Sequence, residues 1–337
     1  MVEKRRVRMR LTAMTVLFVI CFFGSFMLGR YPIEPWTLIR VLASRVIPVT
    51  PDWPSQVETV LFNVRLPRVL MAALIGAGLS AAGAAYQGIF KNPMVSPDVL
   101  GASSGAGFGA ALGLFLSFSY QGVSFLAFIS GLSAVAVVCL ISGRVKYNQT
   151  LGLVLAGMMV SSLFTAAVSF LKLVADPNNT LPVITYWLMG SLSGTRLADV
   201  ARIAPAMAAG LLPLFLLRWK LNLLTLGDDE ARAMGVNAPR LRFLTVVCAT
   251  LVTAASIAVS GMIGWVGLVI PHFARMLVGS DYRKMLPASL LLGASFLVVV
   301  DNFARLLATS EIPIGILTAF VGAPFFLWLI LREGNKL

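Results

Sequence analysis

The sequence predicts an all-α integral membrane protein with about ten transmembrane helices, organised as a single transmembrane domain over residues 1–337. Of the 337 residues, 58% are hydrophobic and only 12% are charged, whereas soluble proteins carry about 25% charged residues. Apolar runs of about 20 residues, long enough to cross a bilayer as a helix, recur from end to end. Ten such runs leave room only for short connections, which excludes a separate soluble domain.

Each predicted span is an apolar run bounded by polar residues, glycine or proline. The eighth span is the weakest, because Gly261, Gly264, Gly267 and Pro271 interrupt it. The ten spans are 11–29, 69–90, 100–118, 123–143, 151–175, 199–218, 241–260, 262–278, 287–308 and 313–331.

The distribution of positive charge predicts that both termini are cytoplasmic. Residues 1–10 contain five Lys and Arg residues and precede an apolar run longer than that of a signal peptide. We therefore expect a basic cytoplasmic tail followed by a retained first helix. With ten spans, 18 of the 27 Lys and Arg residues fall on the inner side, which is the bias that orients membrane proteins.

Neither the net charge of +13 nor the cysteines indicate a nucleic-acid or metal site. The basic residues are scattered between apolar runs and form no single stripe, so no nucleic-acid partner is expected. Cys21, Cys139 and Cys248 lie in apolar runs without metal-ligand spacing, and we interpret them as packing residues. His272, the only histidine, follows Pro271 and is expected to be structural, so no metal and no bound cofactor are predicted.

Small residues recur at every fourth position in the second and third spans and predict close helix packing. In lipid, helices associate through van der Waals contact, and small side chains let their backbones approach. The glycines at 105–109 are not preceded by a strand or followed by a lysine, which argues against a phosphate-binding loop. The two faces are Ala72, Gly76, Ser80, Ala84 and Gly88, and Gly101, Gly105, Gly109 and Gly113.

Three segments are neither spans nor simple turns. Residues 31–63 carry five prolines with Trp36 and Trp53, which indicates an outer-face loop with aromatic anchors at the membrane interface. Residues 177–190 include an apolar stretch too short to span, and we predict a short outer-face helix. Residues 221–237 hold the only dense acidic cluster, on the inner side. The residues alone leave two interpretations of this segment open, a solvated loop helix or a docking surface for a cytoplasmic partner.

Six blocks of residues carry a resemblance to a known family. They are Arg-Leu-Pro-Arg at 65–68, the block at 87–101 that contains Lys-Asn-Pro-Met-Val-Ser-Pro-Asp, the residues from Leu226-Gly227 to Met234-Gly235, Gly-Trp-Val-Gly-Leu-Val-Ile-Pro-His at 264–272, Glu-Ile-Pro-Ile-Gly at 311–315, and Gly-Ala-Pro at 322–324. In this order they resemble the permease subunits of type II ABC importers for iron chelates, haem and cobalamin. The resemblance covers essentially the whole chain, and the Asn-Pro and Gly-Leu-Val-Ile-Pro-His blocks are specific.

The resemblance implies a type II ABC importer permease fold and a particular assembly. The permease would be a homodimer in membrane lipid, with two cytoplasmic ABC ATPase subunits and a periplasmic or extracellular substrate-binding protein. The sequence contains no Gly-x-x-x-x-Gly-Lys-Ser/Thr loop, so ATP and Mg would be bound by the ATPase and this chain would not be an enzyme. The expected location is a bacterial or archaeal plasma membrane, which is the inner membrane in a Gram-negative cell, with a multi-pass chain.

The resemblance also implies roles for three groups of residues. Segment 221–237 would be the coupling helix that contacts the ATPase, with Asn222, Leu226, Gly227, Asp228, Asp229, Glu230, Arg232 and Gly235 as its contact and end residues. Docking of the binding protein is implied for Arg65, Arg68 and Arg305. The first two could instead anchor a helix end by snorkelling, and Arg305 could pair with Asp301 along one helix. The cytoplasmic gate would comprise Asn92, Met94, Thr150 and Leu151, although the segment at 92–94 could be only a tight turn.

The expected function is therefore that of the membrane-spanning subunit of an ATP-driven importer. Ferric siderophore is the first expected cargo, and haem, cobalamin or an oxyanion such as molybdate are alternatives. An ion-coupled secondary transporter is the alternative function, but Asp98, Lys172, Asp301 and Glu311 fall toward span ends and not at mid-membrane. An intramembrane enzyme would need a nucleophile with a base or a metal cluster, and neither pattern is present in the sequence.

Overall fold

The computed structural model describes residues 2–29, 31–45, 47–48, 50–145 and 149–334, and all regular elements in those ranges are helical. The α-helices are α1 (Val2–Met27), α2 (Pro35–Ala43), α3 (Ser55–Glu58), α4 (Leu66–Ile89), α5 (Ala102–Phe115), α6 (Tyr120–Ser142), α7 (Gln149–Val174), α8 (Thr180–Leu188), α9 (Leu197–Leu216), α10 (Arg218–Leu226), α11 (Asp228–Ala233), α12 (Ala238–Ser260), α13 (Val266–Val278), α14 (Tyr282–Leu306) and α15 (Ile314–Gly334). A π-helical segment, Thr59–Arg65, joins α3 to α4, and a 3-10 turn, Pro97–Leu100, precedes α5.

The predicted all-α membrane fold is confirmed. Seven helices in the described ranges are long and apolar enough to cross a bilayer, and the shorter apolar helices α5, α13 and α15 complete the ten predicted spans. The eighth span, predicted to be the weakest, corresponds to α13, which has only 13 residues. It begins at Val266 because residues 261–265 are not helical, with φ of +67° at Gly261 and +70° at Trp265.

Short polar side chains fix where two long helices begin. Asn237 accepts a hydrogen bond from the backbone N–H of Arg240 (3.1 Å) at the start of α12. Asp281 accepts one from the backbone N–H of Arg283 (3.0 Å) at the start of α14. Each side chain satisfies a donor that the first helical turn leaves without an intrahelical partner.

Helices α4 and α12 form the centre of the bundle. In the most apolar window of each, 78% of residues are buried, against 17% for α1 and 28% for α7 and α9. Helix α4 packs against α12, α13 and α14. The peripheral helices expose large apolar side chains such as Leu163 and Leu173 on α7, so their outer faces are suited to lipid or another protein.

The small-residue faces pack closely, as predicted, but each face meets a different neighbour. On the predicted face of α4, a Cβ at Gly76 would overlap the backbone carbonyl of Gly293 on α14; outside that face, a Cβ at Gly83 would overlap the carbonyl of Gly267 on α13. On α5, a Cβ at Gly109 would overlap the carbonyl oxygen of Leu126 on α6. Glycine is therefore required at these positions by the approach of a second backbone.

The segment 31–63, predicted to be a loop, contains helices. It contains α2, α3 and most of the π-helical segment that extends α4 outward. Trp36 is exposed, in keeping with a membrane-interface position, but Trp53 is buried and donates from Nε1 to Glu58 Oε1 (3.1 Å). The prediction of an interfacial anchor at Trp53 was wrong, because a neighbouring carboxylate satisfies the indole N–H inside the protein.

The helices alternate in direction and define two ends of the bundle. We call the end that carries α10 and α11 the basic end, and it is the end predicted to be cytoplasmic. The opposite end carries α2, α3 and α8, together with the starts of α4, α6 and α9. Contacts across elements agree with this arrangement: Arg10 donates to the carbonyl of Leu277 at the basic end, and Ser25 donates to Asn302 (2.8 Å) at the opposite end.

Candidate coupling and gate site

Two short helices at the basic end, α10 and α11, contain the residues predicted to contact an ATPase. Helix α10 ends at Leu226, Gly227 breaks the helix, and α11 starts at Asp228. Three acidic residues in the first turn of α11 suit the positive end of its dipole. Gly235, at φ +77°, ends this segment by leading the chain away toward α12.

Part of the acidic cluster is exposed. The Asp229 side chain is 94% exposed and lies 3.5 Å from Arg232, which is 61% exposed, so this ion pair contributes little to stability. Glu230 is also exposed, and Leu226 and Met234 present apolar surface beside it. An exposed surface that combines charged and large apolar side chains can bind a second protein.

Asp228 is held differently from its two acidic neighbours. Its carboxylate accepts a hydrogen bond from Arg242 Nη2 at 2.6 Å, and the Arg242 side chain is only 6% exposed. This ion pair connects the first residue of α11 to the second turn of α12, one of the two central helices. The pair therefore links α11 directly to the core of the bundle.

Asn222 makes two hydrogen bonds that join α10 to α14. Its Nδ2 donates to Asp281 Oδ1 (2.9 Å), and its Oδ1 accepts from the backbone N–H of Tyr282 (2.9 Å). Although partial burial opposes the shift, hydrogen bonds from the Arg283 amide and from Asn222 lower the pKa of Asp281. Asn222 thus fixes α10 on the start of α14 and is not available as a free surface contact.

The segment predicted as one half of the gate lies beside α10. Asn92 Oδ1 accepts from the backbone N–H of Met94 (2.8 Å), which closes a tight turn, and the Met94 side chain is exposed. Lys91 Nζ donates to the carbonyl oxygen of Leu226 (3.4 Å), the last residue of α10. The predicted gate and the predicted coupling segment are therefore in direct contact through an exposed hydrogen bond.

The other predicted gate residues lie at the start of α7. Leu151 is exposed and Thr150 is half-buried. Asn148, just before them, lies outside the described residues. The gate role of Asn92, Met94, Thr150 and Leu151 therefore stays a prediction.

The arginines predicted to dock a binding protein lie inside the chain at the opposite end. Arg68, 5% exposed, donates from Nε to Asp301 (2.8 Å) and from Nη1 to Glu311 (2.8 Å). Arg305 Nε lies 3.3 Å from the other carboxylate oxygen of Asp301, which is the pairing along α14 left open by the sequence. One buried carboxylate, Asp301, is thus shared by two guanidinium groups.

Arg65, at the end of the π-helical segment, is 2% exposed and makes a different set of contacts. Its two terminal nitrogens donate to the carbonyl oxygens of Phe26 and Tyr31. It therefore closes the C-terminal end of α1 onto α4. In this conformation the guanidinium groups of Arg65 and Arg68 have little surface to offer an outside protein, and their docking role stays a prediction.

Sequence reasoning missed a second set of polar contacts at the basic end. Arg275 on α13 donates to Gln87 Oε1 on α4 (2.8 Å), and Gln87 Nε2 donates to the carbonyl oxygen of Leu268 (3.2 Å). Tyr282 Oη donates to the carbonyl oxygen of Ala84 (3.1 Å). The sequence could have indicated these contacts, because polar residues in or beside an apolar span need hydrogen-bond partners within the bundle.

His272 lies within α13, half-buried, with its ring 6.4 Å from the ring of Phe325 on α15. Among the described residues, no three His, Cys, Asp or Glu side chains form a group that could hold a metal ion.

Similarity to known proteins agrees with this geometry. The sequence model of the FecCD transport family matches residues 17–332. The chain belongs to the FecCD transport family. It is therefore a permease subunit of an ABC importer, as the resemblance implied, and the comparisons give no support to an ion-coupled secondary transporter.

Relatives of this FecCD permease align over nearly their whole length. The molybdate import system permease protein of Haemophilus influenzae is 40% identical over 316 residues, which are 94% of this chain and 93% of that protein. The hemin transport system permease protein of Yersinia pestis is 36% identical over 340 residues, 98% and 97% of the two chains. A solved structure of an inward-facing transporter assigned to the metal-chelate ABC type matches with TM-score 0.86 at 39% identity and covers 96% of this chain and 98% of that one.

Proposed function

We propose that this permease imports a metal chelate as a homodimer, powered by two separate ABC ATPase subunits and supplied by a substrate-binding protein outside the membrane. The observation that carries the proposal is the exposed pair of helices α10 and α11, which lies at the predicted cytoplasmic end of a chain belonging to the FecCD family. The chain has no P-loop of its own, so an exposed polar surface on this side is required for an ATPase to act on it.

Two connections let this surface act on the membrane helices. The pair Asp228–Arg242 ties α11 to α12, and the hydrogen bonds of Asn222 tie α10 to α14. Closure of two ATPase subunits would therefore move α12 and α14 with the surface, because packed cores shift between discrete arrangements and do not deform continuously. Lys91 extends the same movement to the predicted gate segment through its contact with Leu226.

The exposed faces of α7 and α15 favour a homodimer. Helix α15 packs on its own chain mainly against α13 and α14, and it exposes Phe320 and Leu327. Beside it, a cavity of about 680 Å³ is lined by apolar side chains that include Met189, Met262 and Trp265. We infer that a second copy covers this face and that cargo passes along an apolar wall that holds it only weakly.

The cargo is proposed from the names of the relatives. Ferric siderophore is our first candidate within the metal-chelate class, because relatives about 40% identical are named as iron chelatin and Fe(3+)-citrate permeases. Haem and cobalamin belong to the same class. Molybdate is the second candidate, favoured by the 40% identity to the Haemophilus influenzae molybdate permease over nearly the whole chain.

The proposed function is tested by reconstituting the chain with its ATPase and binding protein in liposomes. We expect cargo to accumulate only with ATP inside the compartment that corresponds to the cytoplasm and only with the binding protein outside. Mass spectrometry and metal analysis of the purified binding protein identify the cargo. Uptake without an ATPase, or driven by an ion gradient, would contradict the proposal. If the binding protein carries molybdenum, molybdate and not ferric siderophore is the cargo.

A further inference from the structure

An apolar groove lies between α6 and α12, with the buried Leu153 near the start of α7 also lining it. It has a volume of about 550 Å³. Its α6 wall consists of residues spaced three or four positions apart, from Leu132 through Ala136 to Leu140, and its α12 wall includes Phe243 and Val247. This spacing places one face of each helix toward the groove.

The groove opens outward and not into the core of the bundle. Leu140 is 63% exposed, Phe243 59% and Val247 43%. Exposed apolar side chains on a transmembrane helix can contact either hydrocarbon or another protein. The groove is therefore suited to a lipid chain lying along the protein.

Positive charge borders the groove at the basic end, from both helices. Arg144 follows the end of α6 and donates from Nη1 to the carbonyl oxygen of Leu140 (3.1 Å), a groove residue. Arg240 is in the first turn of α12, three residues before Phe243, and so lies on the same helix face one turn nearer the basic end. Both arginines are exposed.

A third arginine, Arg242, lines the groove wall itself, but its charge is balanced. It pairs with Asp228 at 2.6 Å, so this carboxylate does not compete for Arg144 or Arg240. The side chains of the other two acidic residues of α11 lie against their own segment and not at the groove. Asp229 pairs with Arg232, and the Glu230 carboxylate folds over Gly227. The net charge at the mouth of the groove is positive.

We propose that this groove binds one anionic phospholipid of the leaflet at the basic end, with an acyl chain between α6 and α12 and the phosphate group between Arg144 and Arg240. Basic pockets between transmembrane helices on the cytoplasmic side recognise anionic head groups in this way. Because Arg242 joins the groove wall to the first residue of α11, the bound lipid supports the position of the coupling surface. The lipid site itself does not depend on the cargo or on the ATPase.

The proposal is tested with the full chain, purified in mild detergent, by native mass spectrometry in the presence of equal amounts of phosphatidylglycerol and phosphatidylcholine. We expect one phosphatidylglycerol to be retained preferentially. The double variant Arg144→Gln/Arg240→Gln should reduce that retention by roughly fivefold for each arginine removed. The matched control Arg6→Gln/Arg283→Gln removes the same charge from exposed positions at the same end, outside the groove lining, and should retain the lipid like the unaltered chain.

A second variant tests the groove independently of charge. Ala136 is exposed and lines the groove, so Ala136→Trp can fill it without disturbing the core. It should reduce retention of phosphatidylglycerol and of phosphatidylcholine alike. Equal loss of phosphatidylglycerol in the charge-matched control would overturn the proposal, because charge alone would then explain retention. Loss of dimers without loss of lipid in Ala136→Trp would also overturn it and assign the groove to a second copy of the chain.

Discussion

Charged residues cluster at both ends of the bundle, and the two clusters behave in opposite ways. At the opposite end, Asp301 is 1% exposed and is shared by Arg68 and Arg305. At the basic end, Asp229 is 94% exposed and pairs with the exposed Arg232 at 3.5 Å. The family resemblance implies a docking role for residues of both clusters, yet only the second has its charge at the surface. The second cluster therefore offers charged side chains to a partner in this conformation, whereas the first stabilises contacts within the chain.

Replacement of the shared carboxylate should have the largest effect on stability. Asp301→Ala leaves two largely buried guanidinium groups without their common partner, and we expect a loss of about 3–5 kcal/mol in the free energy of unfolding. Thermal unfolding in detergent measures it. The control is Asp52→Ala, which removes the carboxylate of an exposed pair with Arg40 and should cost about 1 kcal/mol or less. Equal losses of stability in the two variants would contradict the contrast between buried and exposed ion pairs.

Loss of the α10–α14 connection should have an intermediate effect. Asn222→Ala leaves Asp281 and the backbone N–H of Tyr282 without the side chain that satisfies them, at a cost of about 1–3 kcal/mol. If the connection also transmits ATPase movement, the Asn222→Ala transporter should import less cargo for each ATP that the ATPase hydrolyses. The ratio of ATP hydrolysis to uptake in liposomes measures this. An unchanged ratio would limit Asn222 to a structural role.

The exposed acidic residues should affect binding more than stability. Asp229→Ala/Glu230→Ala should change the free energy of unfolding by about 0.5 kcal/mol or less, as is usual for surface positions. The same variant should weaken association with the ATPase, which pull-down or light scattering measures. An unstable chain that still binds the ATPase would instead show that these acidic residues, like Asp301 at the opposite end, stabilise the fold and do not bind a partner.

The pH dependence of stability that Asp281 contributes should be the smallest of these effects. The pKa of Asp281 is lowered in the folded chain from its ordinary value of 3.8, so its ionised form stabilises the fold above that value. This stabilisation is lost as pH falls through the lowered pKa. The difference in stability between the unaltered chain and Asp281→Asn should therefore be constant near neutral pH and shrink below about pH 4. A constant difference down to pH 2 would contradict this assignment.

The fold was largely predictable, because bilayer thickness sets the length of each apolar run. Each of the ten predicted spans corresponds to an apolar helix in the described ranges, seven of them long enough to cross a bilayer and three shorter, among them the weak one at α13. Close backbone contacts were also found at predicted glycines such as Gly76 and Gly109, but their partners were not predicted, since a small-residue repeat shows that a second backbone approaches and not which one it is. Local composition does not contain that information.

The candidate site was predictable as a segment but not residue by residue. The acidic cluster at 228–230 appears in the sequence as one unit, yet Asp228 is paired with a buried arginine and its two neighbours are exposed. The partner, Arg242, is 14 residues away, and Asp281 is 59 residues from Asn222. Such pairings depend on how helices pack and become visible only in three dimensions.

The π-helical segment between α3 and α4 has a mechanical consequence. It makes the chain from Ser55 to Ile89 one continuous helix of 35 residues. At about 1.5 Å per residue, this helix is roughly 50 Å long, whereas the hydrocarbon core is about 30 Å thick. This continuous helix is about 20 Å longer than the hydrocarbon core is thick, so its Ser55 end extends toward the opposite end of the bundle, beyond the apolar part of a bilayer. A protein that arrives from that side meets a surface at a fixed height, held by the same helix that forms the centre of the bundle.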